Sequence, residues 1–266
     1  MSELNVGFIG FGNMAQAMAE GFLRTGALRP EQIHPCARNW EKLCANTEPR
    51  GIRPCKDSRE VVEASDLVIL AVKPYLLREV TEPIRGLLRE KTVVSVAAGY
   101  PFEKLDQLLL PGTHHLSTCP NTPVAVAEGI IVCEERHSLT EEEFRTVKQL
   151  FEKVALVETV DTAHLSVAGT VCGCTPAYAA MFIEALGDAG VKHGLTRAQS
   201  YRLAAQMLVG TGKLYLETGQ HPGAMKDAVC SPGGTTIVGV GELEQRGFRG
   251  AVIAAIDAID AKINKK

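Results

Sequence analysis

The sequence lacks the features that mark membrane-spanning, secreted and nucleic-acid-binding proteins. Its 266 residues carry a formal net charge of −3, so electrostatics gives no reason to propose nucleic acid or an anionic membrane as a partner. Its longest apolar stretches fall short of the ~20 residues that a membrane helix needs. The N-terminus leads directly into a strand-like segment without a basic and apolar leader, which predicts a cytoplasmic protein with no signal peptide.

Paired cysteine motifs are also absent. The eight cysteines stand at positions 36, 44, 55, 119, 133, 172, 174 and 230, with no C-x-x-C and no Cys/His spacing typical of zinc. A chain of this length can bury a sizeable core without disulfides. We therefore expect free thiols in a reducing compartment and no metal site.

The first part of the chain, residues 1–160, alternates short apolar runs with helical segments. The strand candidates are LNVGFIG, QIHPCAR, DLVILAV, KTVVSVAAG, HHLSTCPNTP and GIIVCE. Thr140 and Glu143 have the spacing of a capping box, which predicts that a helix begins there. The alternation predicts an α/β Rossmann domain with a doubly wound, mostly parallel sheet.

The second part, residues 161–266, has no strand signals and predicts an all-α domain. Small residues fill the stretch from Thr162 to Gly194, where Pro176 is a candidate kink, and Thr196 and Gly219 bracket the next helix. A helix of about 30 residues spans ~45 Å, more than a domain of about 100 residues needs for itself. We expect it to pack against the same helix of a second subunit. The alternative is that it lies along its own first domain.

A glycine-rich segment at the start of the chain fits the dinucleotide-binding pattern G-x-G-x-x-G/A, from Gly10 to Ala15. Gly10 makes the tight turn, Gly12 lets a pyrophosphate approach the backbone, and Ala15 permits close helix–strand packing. The helix that begins near Asn13 presents free N–H groups and a positive dipole end to phosphates. Because the motif follows a strand and precedes a helix, we interpret it as a dinucleotide cradle.

The second strand candidate bears on which nicotinamide cofactor is used. NAD-specific sites commonly end this strand in Asp or Glu, which binds the ribose 2′-OH, whereas Arg38 and Asn39 stand here. Arginine suits bidentate phosphate contact, so the sequence favours NADPH, with NADH as the alternative. Two other interpretations of Arg38 are stacking on adenine and simple exposure to water.

Two further loops follow apolar strands, at the position where doubly wound sheets bind their ligands. They supply the remaining candidate cofactor residues, which are Ala71, Val72, Lys73, Pro74, Ala97 and Ala98.

The segment CSPGGTT, from Cys230 to Thr236, interrupts the helical part with poor helix formers. Thr235 or Thr236 is expected to cap the helix that follows. Successive N–H groups at Gly234, Thr235 and Thr236 would then form an anion-binding nest suited to a carboxylate. A plain turn is the alternative.

In this order and at these distances, GFIGFGNMA, AVKP, VAAG, PNTP and KDAVCSPGGTTIVGVGELE resemble the motifs of the pyrroline-5-carboxylate reductase family, over essentially the whole chain. The resemblance implies reduction of 1-pyrroline-5-carboxylate to L-proline with NAD(P)H, the final step of proline synthesis. It also implies a Rossmann domain followed by a helical domain that forms dimers, often assembled into decamers.

The resemblance also implies residue roles. Ser231, Gly234 and Thr235 would hold the substrate carboxylate, and the hydroxyl of Thr236, the candidate catalytic residue, would contact the ring nitrogen. The cofactor would be held by the backbone of Gly10, Phe11, Gly12, Asn13 and Met14 together with AVKP and VAAG. A cyclic imine is already an electrophile, so no covalent nucleophile is needed, and none of the seven histidines stands out as a general acid.

The chain departs from the family pattern in two places. Ser117-Thr118-Cys119 precedes Pro120-Asn121, where the family commonly has Arg-Val-Met, and Ser58 stands where some relatives place asparagine near the adenosine ribose. Two rival functions share the N-terminal fingerprint. A β-hydroxyacid dehydrogenase would need a lysine followed four residues on by asparagine, which Lys192 and Lys213 lack. A dinucleotide-sensing regulator would not need an intact nest.

Overall fold

The computed structural model describes residues 4–264. The chain divides into two compact units, Met1–Cys174 and Thr175–Lys266. The domain boundary that the sequence places at residue 160 rests on where strand signals end, and it stays a prediction.

Seven strands form the sheet of the first unit, in the order β2-β1-β3-β4-β5-β6-β7. Strands β1 to β5 run parallel, β6 runs antiparallel to β5, and β7 is parallel to β6. The mostly parallel sheet confirms the predicted Rossmann fold. The strands are β1 Val6–Ile9, β2 Ile33–Cys36, β3 Leu67–Leu70, β4 Thr92–Ser95, β5 His114–Pro120, β6 Gly129–Glu134 and β7 Ala155–Val160.

Helices cover both faces of this sheet, which explains why its central strands are apolar throughout. Side chains alternate along a strand, so Leu67 and Ile69 of β3 pack into one buried cluster while Val68 and Leu70 pack into another. The helices are α1 Asn13–Arg24, α2 Trp40–Thr47, α3 Ser58–Glu63, α4 Leu77–Thr81, α5 Arg85–Leu88, α6 Phe102–Asp106, α7 Glu141–Phe151 and α8 Leu165–Gly173. Helix α7 begins at the predicted capping box.

The sequence analysis missed β7, the strand at one edge of the sheet. Its side chains are at most half-buried and Leu156 is exposed, so it carries little of the apolar signal that marks the central strands. The reversal of β6 was not predicted either. A 3₁₀ turn at Thr122–Val126 and Ala127, with a left-handed φ of 61°, turn the chain back after β5.

The second unit is helical, as predicted, with α9 Thr175–Lys192, α10 Arg197–Thr218, α11 Pro222–Ala228, α12 Thr235–Gln245 and α13 Phe248–Asn264. Helix α10 begins at Thr196 and ends at Gly219, as expected. A Cβ at Gly187 would lie 2.2 Å from the Tyr201 ring, so this glycine allows α9 and α10 to approach closely. Large apolar side chains are exposed along these helices, including Met181, Leu203 and Val238, as is typical of a subunit interface.

The predicted long helix of small residues is interrupted at Cys174, where α8 gives way to α9. Pro176 explains the break, since it has no N–H to donate to the carbonyl four residues earlier. By length and composition, Leu165–Lys192 is nevertheless long and apolar enough to cross a membrane, and little of it is buried. This corrects the expectation that no apolar stretch of the chain is long enough to form a membrane helix.

Candidate active site

A cavity of about 980 Å³ opens at the carboxyl ends of the strands around β1, where the order of the sheet reverses. Doubly wound sheets bind their ligands at this point. Every predicted cofactor residue except Phe11 lines it: Gly10, Gly12, Asn13, Met14, Arg38, Ala71, Val72, Lys73, Pro74, Ala97 and Ala98. The structure therefore brings these separate segments to one place, although their role in binding stays a prediction.

Gly10 occupies a position that only glycine accepts without strain. Its φ is +92°, and a Cβ there would lie 2.8 Å from the carbonyl oxygen of Ala71. Its N–H donates to the carbonyl oxygen of Cys36 at 3.0 Å. Gly10 therefore lets three chain segments meet at the base of the cavity.

Gly12 is a glycine for a different reason. A Cβ there would meet no protein atom within 4 Å, so packing within the chain does not require glycine. Gly12 is the N-cap of α1, and no side chain caps this helix. The first-turn N–H groups and the positive end of the helix dipole are thus available to an anion that approaches the open space at Gly12. These residues fit the pyrophosphate of a dinucleotide.

Phe11 lies between these glycines but does not line the cavity. Its ring is buried and packs edge-on against Phe8, with centroids 6.1 Å apart. Its carbonyl oxygen accepts a hydrogen bond from the Gln16 side chain at 3.0 Å. The side chain of Phe11 therefore belongs to the core, and only its backbone is close to the cradle.

One end of the cavity combines Arg38 with residues that the sequence analysis missed. The Arg38 side chain is exposed, while the Asn39 side chain accepts a hydrogen bond from the Lys42 N–H and caps α2. Lys56, Asp57 and Ser58 line the same cavity. Of these only Ser58 was singled out, and no local pattern in the sequence marks Lys56 or Asp57.

The cysteines at this end are not reactive nucleophiles. Burial raises the pKa of the Cys36 thiol, which lines the cavity, to about 11, and that of the neighbouring Cys55 thiol to about 12. Both are therefore neutral at ordinary pH, and a neutral thiol is a poor nucleophile. All eight cysteines are free, as expected, and no cluster of metal-ligating side chains occurs between residues 4 and 264.

The PNTP turn contributes Thr122 to the lining of the cavity. The Asn121 side chain holds this turn in place. The Asn121 side chain accepts a hydrogen bond from the Ile130 N–H at 2.8 Å. Two of the three residues that depart from the family pattern just upstream also bond to the backbone. The Ser117 hydroxyl donates to the Tyr100 carbonyl at 2.7 Å, and the Thr118 hydroxyl donates to the Ser95 carbonyl at 3.0 Å.

The CSPGGTT loop in the second unit is shaped differently from the prediction. The N-cap of α12 is Gly234, whose extended backbone makes Thr235 the first helical residue, so neither threonine caps the helix. The Gly234 N–H donates to the Ser231 carbonyl at 2.9 Å and is not available to a ligand. A Cβ at Gly234 would lie 2.4 Å from the Ser231 hydroxyl oxygen, which explains the glycine.

The predicted nest is therefore reduced to the first turn of α12 itself. No side chain caps this helix of 11 residues, so the N–H groups of Thr235 and Thr236 lack a side-chain acceptor. Ser231, Thr235 and Thr236 are all exposed. An exposed, uncapped helix N-terminus with hydroxyl groups beside it can accept a carboxylate.

Three of the seven histidines have partners that suit a structural role. The His114 ring bonds to the Glu143 carboxylate at 2.8 Å, and His115 is fully buried against the ring of Phe102. His221 caps α11 by accepting a hydrogen bond from the Gly223 N–H. That no histidine acts as a general acid stays a prediction.

Comparison with known proteins covers the whole chain. A sequence model described as pyrroline-5-carboxylate reductase dimerisation matches residues 162–266, and one described as NADP oxidoreductase, coenzyme F420-dependent, matches residues 5–99. The pyrroline-5-carboxylate reductase of Treponema pallidum is 46% identical over 96% of this chain and 98% of its own length. This chain belongs to the pyrroline-5-carboxylate reductase family. The Escherichia coli reductase is 38% identical over 99% of the chain and 98% of its own length.

Solved structures of pyrroline-5-carboxylate reductases also match this chain over nearly its whole length. The Plasmodium falciparum pyrroline carboxylate reductase, determined with NADP bound, has a TM-score of 0.89 at 27% identity and covers 99% of this chain and 98% of its own. A reductase from Coxiella burnetii has a TM-score of 0.86 at 28% identity, with the same coverage. The match along the whole chain sets aside the β-hydroxyacid dehydrogenase alternative.

Proposed function

We propose that this protein reduces 1-pyrroline-5-carboxylate to L-proline with NADPH, the final step of proline synthesis. The observation that carries the proposal is the uncapped α1 N-terminus beside the open space at Gly12, in a chain 46% identical to a pyrroline-5-carboxylate reductase over nearly its full length. The NADP in the Plasmodium falciparum relative supports NADPH as cofactor, with NADH as the alternative.

The cofactor would be held by the cavity of the first unit. The backbone from Gly10 to Met14 would receive the pyrophosphate, and Arg38 would contact the adenosine end. The bound nicotinamide supplies the hydride. Ala97 and Ala98 have no polar side-chain atoms, so they offer an apolar wall that excludes water from their part of the cavity.

The substrate would be held by its carboxylate at the CSPGGTT loop. The N–H groups of Thr235 and Thr236 and the Ser231 hydroxyl are the proposed donors, while Gly234 keeps the loop backbone close to Ser231. The Thr236 hydroxyl would hydrogen-bond the ring nitrogen of a protonated imine. The chain then acts by orienting the substrate, which can lower a barrier by ~7–11 kcal/mol in favourable cases.

Assembly and location follow from the same assignment. The match of residues 162–266 to a dimerisation domain indicates self-association, and we extend it to a dimer that can assemble into a decamer. Exposed apolar side chains on α9, α10 and α12 support this. Eight unpaired thiols suit a reducing compartment, which supports a cytoplasmic location.

The test is NADPH oxidation, followed by absorbance, with 1-pyrroline-5-carboxylate as substrate and proline measured as product. Thr236→Ala should lower turnover at least tenfold, on the order of one lost hydrogen bond to a charged group, while Thr236→Ser restores most of it. NADPH binding, measured by fluorescence, should be the same in both variants. Normal turnover by Thr236→Ala would remove its proposed role, and no proline from the wild-type protein would refute the function.

A further inference from the structure

Two cationic side chains, Arg38 and Lys56, line the same end of the cofactor cavity. They lie on separate segments of the chain, and one backbone hydrogen bond joins these segments. The Cys55 N–H donates to the carbonyl oxygen of Pro35 in β2 at 2.8 Å. This bond holds the segment that carries Lys56 alongside the end of β2, from which Arg38 follows.

Neither cation has a carboxylate partner. Across residues 4–264, no Asp or Glu oxygen lies within 4.0 Å of the Arg38 guanidinium or the Lys56 ammonium, whereas other arginines of this unit are paired, such as Arg50 with Glu20. Two unpaired like charges at one end of a cavity repel each other. They are stabilised when an anion lies between them.

The two carboxylates that follow Lys56 most closely in the sequence are already engaged with the backbone. Asp57 also lines the cavity, but its Oδ1 accepts a hydrogen bond from the Glu60 N–H at 2.9 Å and caps α3. The Glu60 carboxylate in turn accepts a hydrogen bond from the Lys56 N–H at 2.7 Å. Neither arrangement neutralises the Lys56 ammonium.

We infer that Lys56 is a second specificity-determining residue, which together with Arg38 binds the 2′-phosphate that distinguishes NADPH from NADH. This rests on the proposed use of a nicotinamide dinucleotide in this cavity. Lysine acts as a point charge and arginine as a bidentate donor, so the two contribute in different ways to the same phosphate.

The experiment measures binding without substrate, so that its outcome does not depend on imine reduction. Affinities for NADPH and NADH are measured by fluorescence titration, and those for adenosine 2′,5′-bisphosphate and adenosine 5′-monophosphate by calorimetry. Lys56 is exposed, so Lys56→Gln should fold normally. Lys56→Arg keeps the charge, and Lys91→Gln is the matched control, because Lys91 lies outside this cavity.

Lys56→Gln is expected to weaken NADPH and the bisphosphate about tenfold, the size of one charge-assisted hydrogen bond, while NADH and the monophosphate change less than about twofold. Lys56→Arg should recover most of the loss, and Lys91→Gln should cause none. Equal weakening of NADPH and NADH, or no weakening of either, would overturn the inference. A protein that discriminates the two cofactors in this way but makes no proline would refute the proposed function alone.

Discussion

The side-chain amide of Asn121 donates a hydrogen bond to the carbonyl oxygen of Cys172 at 3.1 Å. Cys172 is the residue four positions before Pro176, which has no N–H to complete the usual i to i+4 helical bond to this carbonyl. Asn121 supplies the missing donor from the turn between β5 and β6. It thereby links that turn, which contributes Thr122 to the cofactor cavity, to the last turn of α8.

Replacing Asn121 should destabilise the first unit. Asn121→Ala leaves the Cys172 carbonyl and the Ile130 N–H without their side-chain partner, at a cost of about 2–4 kcal/mol in the free energy of unfolding. Asn121→Asp keeps the acceptor for Ile130 and loses only the donor. Urea unfolding of both variants measures the difference. If Asn121→Asp and the wild-type protein were equally stable, the bond to Cys172 would contribute nothing.

The glycines at positions 10 and 12 should respond differently to the same substitution. Gly10→Ala places a Cβ against the Ala71 carbonyl, on a backbone with a positive φ. The free energy of unfolding should therefore fall by at least about 2 kcal/mol. Gly12→Ala meets no protein atom, so stability should change by less than about 1 kcal/mol. NADPH affinity should instead fall about tenfold or more, because the methyl group occupies the space that the pyrophosphate needs.

Thermal unfolding with and without NADPH separates the two effects. At the same NADPH concentration, the ligand should stabilise the folded state less in Gly12→Ala than in the wild-type protein. Equal loss of stability in both variants would mean that the space at Gly12 is needed for folding rather than for binding.

The contrast between these glycines shows which parts of the site can be read from sequence. The cradle from Gly10 to Met14 is local, so its pattern predicts its geometry. Lys56 joins the site through a hydrogen bond between residues 35 and 55, which no local pattern encodes. The predicted N-cap residue of α12 was wrong for a related reason. Two adjacent threonines have the right chemistry for a cap, but the contact between Ser231 and Gly234 places the extended residue one position earlier.

The fold shows the same division. Strands buried on both faces, such as β3, are recognisable as continuous apolar runs, whereas the half-exposed edge strand β7 is not. The direction of β6 depends on the turn after β5. That turn includes Ala127, a residue type with no preference for the left-handed backbone that it adopts.

Stability should fall on acidification because of His115. Burial lowers the pKa of this ring below its usual 6.5, even though the hydrogen bond that the ring donates to the Asp106 carboxylate opposes the shift. As the pH falls below 6.5, the unfolded chain takes up a proton that the folded His115 does not, so unfolding becomes easier. The loss continues until the pH reaches the lowered pKa of the folded state. His115→Gln should flatten the decline in unfolding free energy between pH 7 and pH 5.

His193→Gln is the control, because this histidine is exposed.

A second decline in stability is expected at lower pH from Glu143. Burial opposes its ionisation, but hydrogen bonds from His114 and Thr140 outweigh it and hold the pKa below its usual 4.5. That contribution is present above pH 4.5 and is lost as the pH falls through the folded pKa. An unchanged pH profile in His115→Gln would show that other groups cause the first decline.

The backbone at Ala127 predicts a substitution that stabilises the protein. Its φ of 61° costs an alanine about 1–2 kcal/mol, which glycine avoids. A glycine makes the unfolded chain more flexible, and this offsets about 0.5–1 kcal/mol of the gain in stability. Ala127→Gly should therefore raise the free energy of unfolding by about 0.5 kcal/mol in urea titration.

Ala45→Gly, at an exposed position within α2, is the matched control and should lower the free energy of unfolding by about 1 kcal/mol. Because both variants remove the same methyl group, the opposite signs isolate the effect of backbone conformation. A loss of stability in Ala127→Gly as large as in Ala45→Gly would mean that packing of the Ala127 methyl group outweighs the left-handed strain.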